Sequence, residues 1–71
     1  MKSNMLFIGG LRFIYVFDCE KFTIIKTIDA NKLIYKIVAI NDDNLLCGGY
    51  EILMVLRVSD FTVIVKEHTQ S

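Results

Sequence analysis

Few side chains in this 71-residue chain have the chemistry of a catalytic group. The single histidine, His68, lies three residues before the last residue, a region where chains fray and where a general base would be poorly positioned. Asp42 and Asp43 are adjacent, so on a strand their carboxylates would point to opposite faces. In a turn, such residues accept hydrogen bonds from backbone amides instead. We therefore predict no catalytic residues, and we expect the protein not to be an enzyme.

The cysteines do not form a recognisable metal site. Cys19 and Cys47 lie 28 residues apart without a Cys-X-X-Cys pair, and with His68 they fall short of the four ligands of a structural zinc. We expect both thiols to be reduced and packed in the interior. The polar turn at 41–44 lacks the alternating ligands and the distant Glu of an EF-hand calcium loop. No metal ion is therefore predicted.

Two glycine pairs, Gly9-Gly10 and Gly48-Gly49, are the candidates for a phosphate-binding loop. Such a loop opens onto the N-terminus of a helix, whereas both pairs here precede apolar, strand-like segments. We interpret them as hairpin and close-packing glycines, needed where φ is positive or where a neighbouring backbone approaches. No cofactor is expected.

The net charge of the chain is zero, with eight Lys+Arg and eight Asp+Glu. The lysines Lys26, Lys32 and Lys36 form no contiguous basic run with exposed aromatic residues between them, so nucleic-acid binding is not expected. The N-terminal apolar run is interrupted by Gly9-Gly10 and is too short for a signal peptide, and no apolar stretch approaches the ~18 residues of a spanning helix. We expect a cytoplasmic protein without membrane association.

The apolar residues favour strands and follow a 39-residue repeat. Ten Ile and six Val stand against two Ala and no Pro. When the chain is shifted by 39 residues, seven of the 24 positions from Leu6 to Asp29 are identical to their partners, where composition alone would give about two. Apolar runs between polar turns predict seven strands. These predicted strands are 5–8, 13–17, 22–28, 33–40, 45–47, 52–58 and 61–65.

The central strands of each copy are apolar on both faces, at 13–17 and at 52–56. A half-exposed sheet would alternate apolar and polar residues, so both faces of these strands must be covered. No segment combines the length, caps and period of a helix, so other sheets must cover them. The last strand of each copy contains polar residues, as is typical of an outer edge strand.

This pattern resembles the WD-repeat β-propeller family, in which four-stranded antiparallel blades of about 40 residues pack face to face around an axis. In that register, 33–67 forms one complete blade and 5–28 forms the last three strands of the preceding blade. The Trp-Asp dipeptide of the family corresponds to Phe17-Asp18 and to Leu56-Arg57. The resemblance implies an all-β fold of antiparallel four-stranded blade repeats, with 1–71 a single propeller fragment. A free-standing β-sandwich or small barrel is the alternative fold.

The resemblance also implies a function as a non-catalytic scaffold for protein–protein interaction. The expected partners are other proteins and further blades or a second copy of the chain. Candidate contact residues are Arg12, Tyr50 and Glu51, in the turns between the second and third strands of each blade. One alternative is a regulatory propeller attached to a larger enzyme such as a protein kinase. Another is phosphoinositide binding by Arg12 and Arg57, ranked last because these two residues are distant in sequence.

Overall fold

A computed structural model describes residues 4–69, which form two antiparallel β-sheets. The first sheet has the strand order β1-β2-β3 and the second has the order β4-β5-β6-β7. The all-β fold class is thereby confirmed, and sheets of three and four strands are consistent with partial propeller blades. No helix in this stretch is long and apolar enough to cross a bilayer. The strands are β1 (Met5–Gly9), β2 (Phe13–Asp18), β3 (Thr23–Asp29), β4 (Ile34–Ala39), β5 (Asn44–Gly49), β6 (Ile52–Arg57) and β7 (Val63–His68).

Polar side chains close the turns between strands. The Oδ1 atom of Asn41 accepts hydrogen bonds from the backbone N–H groups of Asp43 (2.9 Å) and Asn44 (3.0 Å). In the turn after β2, Asp18 Oδ1 accepts hydrogen bonds from the backbone N–H groups of Glu20 (2.9 Å) and Lys21 (3.2 Å). Such side chains replace the strand partners that backbone amides lose in a turn, and they fix where each strand ends.

The 39-residue repeat is present in the backbone as well as in the sequence. Strand β2 and strand β6 have bounds that differ by 39 residues at both ends. A register shift lies between Val16 and Phe17 in the first sheet and between Val55 and Leu56 in the second, again 39 residues apart. Because a bulge is a specific distortion of the ladder, its recurrence indicates that both copies fold by the same local rules.

The core lies between the two sheets, on one face of each. Side chains of the first sheet such as Ile14 and Val16 are completely buried there. At the margin, the rings of Phe7 and Phe61 lie with their centroids 6.3 Å apart. We call this contact between the sheets the inner interface. The buried apolar residues are Ile14, Val16, Ile28, Ala30, Ile34, Leu45, Cys47, Ile52, Met54, Leu56 and Val58.

The expected starts of the outer strands are wrong by one or two residues. We expected Phe22 and Phe61 to begin these strands, but both have left-handed backbone conformations, with φ of 55° and 59°. The Phe22 N–H donates to the carbonyl of Asp18 at 2.7 Å, so this residue closes the turn. The strands β3 and β7 begin at Thr23 and Val63.

Two further expectations need correction. Cys47 is buried as expected, but Cys19 is exposed because it lies in the turn after β2. None of the four glycines has a positive φ. The close approach of a neighbouring backbone instead accounts for Gly9 and Gly49, since a Cβ on either would collide with the carbonyl oxygen of Ile34 or of Leu33, respectively.

Candidate protein-interaction site

The three predicted contact residues lie at one end of the molecule. Arg12 lies in the turn between β1 and β2, and Tyr50 and Glu51 lie in the equivalent turn between β5 and β6. Between these turns runs segment 30–33, which joins the first sheet to the second. We call this connecting segment the linker, and both turns are hydrogen-bonded to the linker or to the first residue of β4 after it.

The first turn binds the linker through its backbone carbonyl groups. The carbonyl of Arg12 accepts hydrogen bonds from the N–H groups of Ala30 at 2.9 Å and Asn31 at 3.1 Å. The carbonyl of Gly10 accepts one from the N–H of Ile34 at 2.8 Å, at the start of β4. These bonds satisfy linker amides that have no ladder partner, and they hold both ends of the linker in place.

The second turn binds the linker through both backbone and side chains. The Tyr50 N–H donates to the carbonyl of Leu33 at 2.8 Å. Lys32 Nζ lies 3.4 Å from Glu51 Oε1 and 6.0 Å from the centroid of the Tyr50 ring. Glu51 has a φ of 57°, the left-handed conformation that completes the turn. Lys32 therefore joins two of the predicted contact residues, Tyr50 and Glu51.

The side chain of Arg12 is held by a carboxylate at the end of β3. Its Nε and Nη2 atoms donate to the two carboxylate oxygens of Asp29 at 3.1 Å and 3.0 Å, a two-bond arrangement that fixes the guanidinium plane. This hydrogen-bonded pairing with Arg12 lowers the pKa of Asp29 and raises the pKa of Arg12. The same guanidinium lies 5.6 Å from the centroid of the Phe13 ring. Arg12 is thus exposed but ordered.

Two apolar residues at this end of the molecule were not predicted from the sequence. Leu11 is 85% exposed in the first turn, and Leu33 is exposed in the linker. The repeat offers a signal for Leu11, because it aligns with the exposed Tyr50. No sequence signal marks Leu33, whose place depends on how the linker folds. We call the group formed by these residues the linker surface: Leu11, Arg12, Leu33, Tyr50 and Glu51.

The residues considered for catalysis and metal binding are dispersed. His68 pairs with Ile52 in the ladder between β6 and β7 and is exposed. Asp43 accepts hydrogen bonds from the backbone N–H (2.9 Å) and the Oγ hydroxyl (3.2 Å) of Ser59. It binds a backbone amide as expected, but that amide belongs to the turn after β6, so Asp43 joins two turns. Within residues 4–69, no group of three or more His, Cys, Asp or Glu side chains is placed to hold a metal ion.

The two arginines considered for a phosphoinositide site are not brought together. Arg12 lies before β2, whereas Arg57 lies at the far end of the equivalent strand, β6. Each is paired with a nearby carboxylate, and for Arg57 this is Asp60 at 3.3 Å. The two arginines therefore do not form a combined basic site for a phosphorylated headgroup.

A groove runs between β1 and β4 beside the linker. Its volume is about 340 Å³, and β1 contributes Phe7, Ile8 and Gly9 to its wall. Residues 34–37 of β4 form the opposite wall. Within the described part of the chain, β1 is an edge strand, paired only with β2. The groove therefore borders the position that an innermost strand would take in a four-stranded first sheet.

No protein-family model matches this chain, and neither does any of the curated proteins or solved structures compared with it. The functional proposals below therefore rest on the repeat and on the contacts of the two sheets.

Proposed function

We propose that this chain is a segment of a WD-repeat-like propeller and acts as a non-catalytic scaffold for protein–protein interaction in the cytoplasm. The proposed site of contact is the linker surface. The observation that carries the proposal is that two turns, one from each sheet, hold the same linker by backbone hydrogen bonds while leaving Leu11 and Tyr50 exposed.

The backbone that carries the linker surface is already ordered in the free protein, and this favours the binding of a partner. Tyr50 is 55% exposed, yet its N–H is tied to Leu33 and its ring lies near Lys32. A partner that covers such a side chain pays little additional conformational entropy, because the backbone is already fixed. Tyrosine and arginine are also the residues that most often anchor protein interfaces. The linker surface combines these side chains on loops supported by sheets, the usual position of a binding site.

The test is affinity capture with the full chain, followed by measurement of the affinity of each captured protein. Tyr50→Ser should weaken binding by about tenfold or more, as expected for the loss of an aromatic anchor worth ~1.4 kcal/mol. Phe22→Ser is the matched control, because Phe22 is an exposed aromatic residue in the turn at the opposite end of β2. The control should leave the affinity unchanged.

Circular dichroism of both variants would establish that they retain the β-sheet signal. Equal losses for Tyr50→Ser and Phe22→Ser would contradict a site at the linker surface. Turnover of a substrate by the purified chain, with no protein retained, would contradict the scaffold function itself.

A further inference from the structure

Each sheet buries one face in the inner interface. No sheet packs against its other face within residues 4–69, and we call this the bare face. The repeat relates these faces, because a shift of 39 residues maps the buried face of one sheet onto the bare face of the other. Ile14 is completely buried in the first sheet, whereas its partner in the repeat, Leu53, is 38% exposed in the second. The second sheet therefore has the side chains of a packed face but no sheet against it within residues 4–69.

The bare face of the second sheet carries a continuous apolar row. Val38 lies opposite Leu46, Leu46 lies opposite Val55, and Val55 lies opposite Val65, so the row crosses all four strands. Leu53 extends this row along β6. Aligned apolar side chains on neighbouring strands are the arrangement that packs against another sheet. We call these five residues the second open face.

The bare face of the first sheet corresponds in the repeat to the buried face of the second sheet. Leu6 is 52% exposed, whereas its partner in the repeat, Leu45, is 2% exposed in the inner interface. Ile8 is likewise exposed, and its partner Cys47 is buried. The strand register places Leu6, Phe17 and Ile24 in one row and Ile8 and Tyr15 in the next. We call these residues the first open face: Leu6, Ile8, Tyr15, Phe17 and Ile24.

We propose that the second open face of one copy of this chain binds the first open face of a second copy. Copies then join head to tail through a contact that repeats the inner interface. This inference rests on the proposed function, since it treats the sheets as blades of a scaffold and names one partner of that scaffold. The net charge of zero creates no overall repulsion between copies.

The contact has a definite symmetry. Its two sides are different surfaces, so each copy retains one free face after binding, and further copies add until a ring closes. Propellers contain about four to eight blades, so a closed ring would contain about two to four copies at two blades each. An interface between two identical faces would instead stop at the dimer.

The test is analytical ultracentrifugation of the full chain and of two face variants. The wild-type chain should associate as its concentration rises. Leu53→Lys places a charge on the second open face and Leu6→Lys places one on the first, so each variant alone should remain monomeric. An equimolar mixture of the two variants should form a heterodimer and stop there, because one undamaged copy of each face remains. Asp42→Lys, in the exposed turn after β4 and outside both open faces and the linker surface, is the control and should associate like the wild type.

Several results would overturn the inference. These are a wild-type chain that stays monomeric, a face variant that associates as the wild type does, a mixture that remains monomeric, or an Asp42→Lys control that is equally disruptive. If a lysine variant loses its β-sheet circular dichroism, the milder pair Val55→Thr and Ile8→Thr should give the same pattern of monomers and heterodimer.

The two proposals fail separately. A monomeric wild-type chain whose partner capture still depends on Tyr50 would overturn head-to-tail association and leave the scaffold function standing. Association with the predicted heterodimer, but without capture of any protein at the linker surface, would support the head-to-tail contact and overturn the proposed function.

Discussion

Gly9 and Gly48 occupy equivalent positions in the two copies of the repeat, yet their surroundings differ. A Cβ on Gly9 would lie 2.5 Å from the carbonyl oxygen of Ile34, where the second sheet approaches the first. A Cβ on Gly48 would have no neighbour within 4 Å among the described residues. Packing therefore requires glycine at position 9 but does not require it at position 48.

This difference predicts opposite effects of alanine at the two positions. Gly9→Ala should lower the free energy of unfolding by about 1–3 kcal/mol, because the backbone of Ile34 must move. Gly48→Ala should change it by less than about 1 kcal/mol, and towards greater stability, because φ at Gly48 is negative and alanine restricts the unfolded chain. Urea unfolding of both variants at one protein concentration measures the effects. Equal destabilisation would contradict the close approach at Gly9.

The two cysteines also differ in their surroundings. Burial raises the pKa of the Cys47 thiol from its ordinary value of 9.0 to about 11, whereas Cys19 is exposed. Between these pH values the unfolded chain releases the Cys47 proton and the folded chain retains it. The thiol therefore favours folding fully below about pH 9, and this contribution is lost as the pH rises towards 11.

We expect the free energy of unfolding to fall by about 2 to 3 kcal/mol over that pH range on account of Cys47. Urea unfolding as a function of pH measures the fall, and Cys47→Ala should remove this part of it. Cys19→Ala is the control for the loss of a cysteine, because it removes a thiol from an exposed turn and leaves the core intact. Parallel profiles for wild type and Cys47→Ala would contradict the burial of this thiol.

At the scale of strands and turns, Phe22 and Phe61 begin the outer strands in the same unusual way. Both have positive φ, which costs a bulky residue about 1–2 kcal/mol, and both follow a turn that leads out of a central strand. Each ring contacts another phenylalanine, but the two differ in burial. Phe22 is 77% exposed, with its ring edge-on to Phe17 at 6.4 Å between centroids, whereas Phe61 packs against Phe7 in the inner interface. Both copies of the repeat therefore share the backbone conformation, but only the second copy packs this side chain against the core.

Substitution by asparagine at positions 22 and 61 separates the effect of the backbone conformation from the effect of side-chain packing. Phe22→Asn should leave the free energy of unfolding within about 1 kcal/mol of the wild type, because asparagine adopts positive φ more readily and this offsets the loss of the exposed contact with Phe17. Phe61→Asn should lower it by about 1–3 kcal/mol, because the contact with Phe7 is lost. Thermal unfolding of both variants compares them. A larger loss at position 22 than at position 61 would contradict this assignment.

Most of the strand order could be predicted from the sequence, because alternating turns and apolar runs repeat at a fixed spacing. The strand starts at Phe22 and Phe61 could not, since aromatic residues normally favour strands and only tertiary context places these two in the left-handed region. The candidate site follows from the sequence only in part, for a similar reason. The turns that contain Arg12 and Tyr50 are local features, whereas the role of Lys32 depends on how the linker folds between two sheets.

At the scale of the whole molecule, the sheets contact one another through one face each. In repeat proteins, stability is a sum of contributions from each unit and from each contact between neighbours. A chain with two units has one such contact, and its two open faces are exposed apolar surface. Binding another copy would therefore add a second contact per chain and raise the stability of the fold.

This predicts that the thermal midpoint of unfolding rises with protein concentration. Raising the concentration to a hundred times the dissociation constant should stabilise the folded chain by about 2.7 kcal/mol. Calorimetry across a range of concentrations measures the shift, and Asp42→Lys should follow the same curve. A midpoint for Leu53→Lys that rises as steeply as that of the wild type would contradict the contribution of the second open face.

The edge position of β1 determines how fast its backbone amide hydrogens exchange with those of water. Within the described chain, β2 has a partner strand on both sides, whereas β1 has one partner and borders the groove on its other side. Alternate N–H groups of a strand point to opposite sides, so those of β1 that point into the groove have no ladder partner. In deuterated solvent, β1 should show alternating fast and slow exchange along its length, while β2 exchanges slowly throughout.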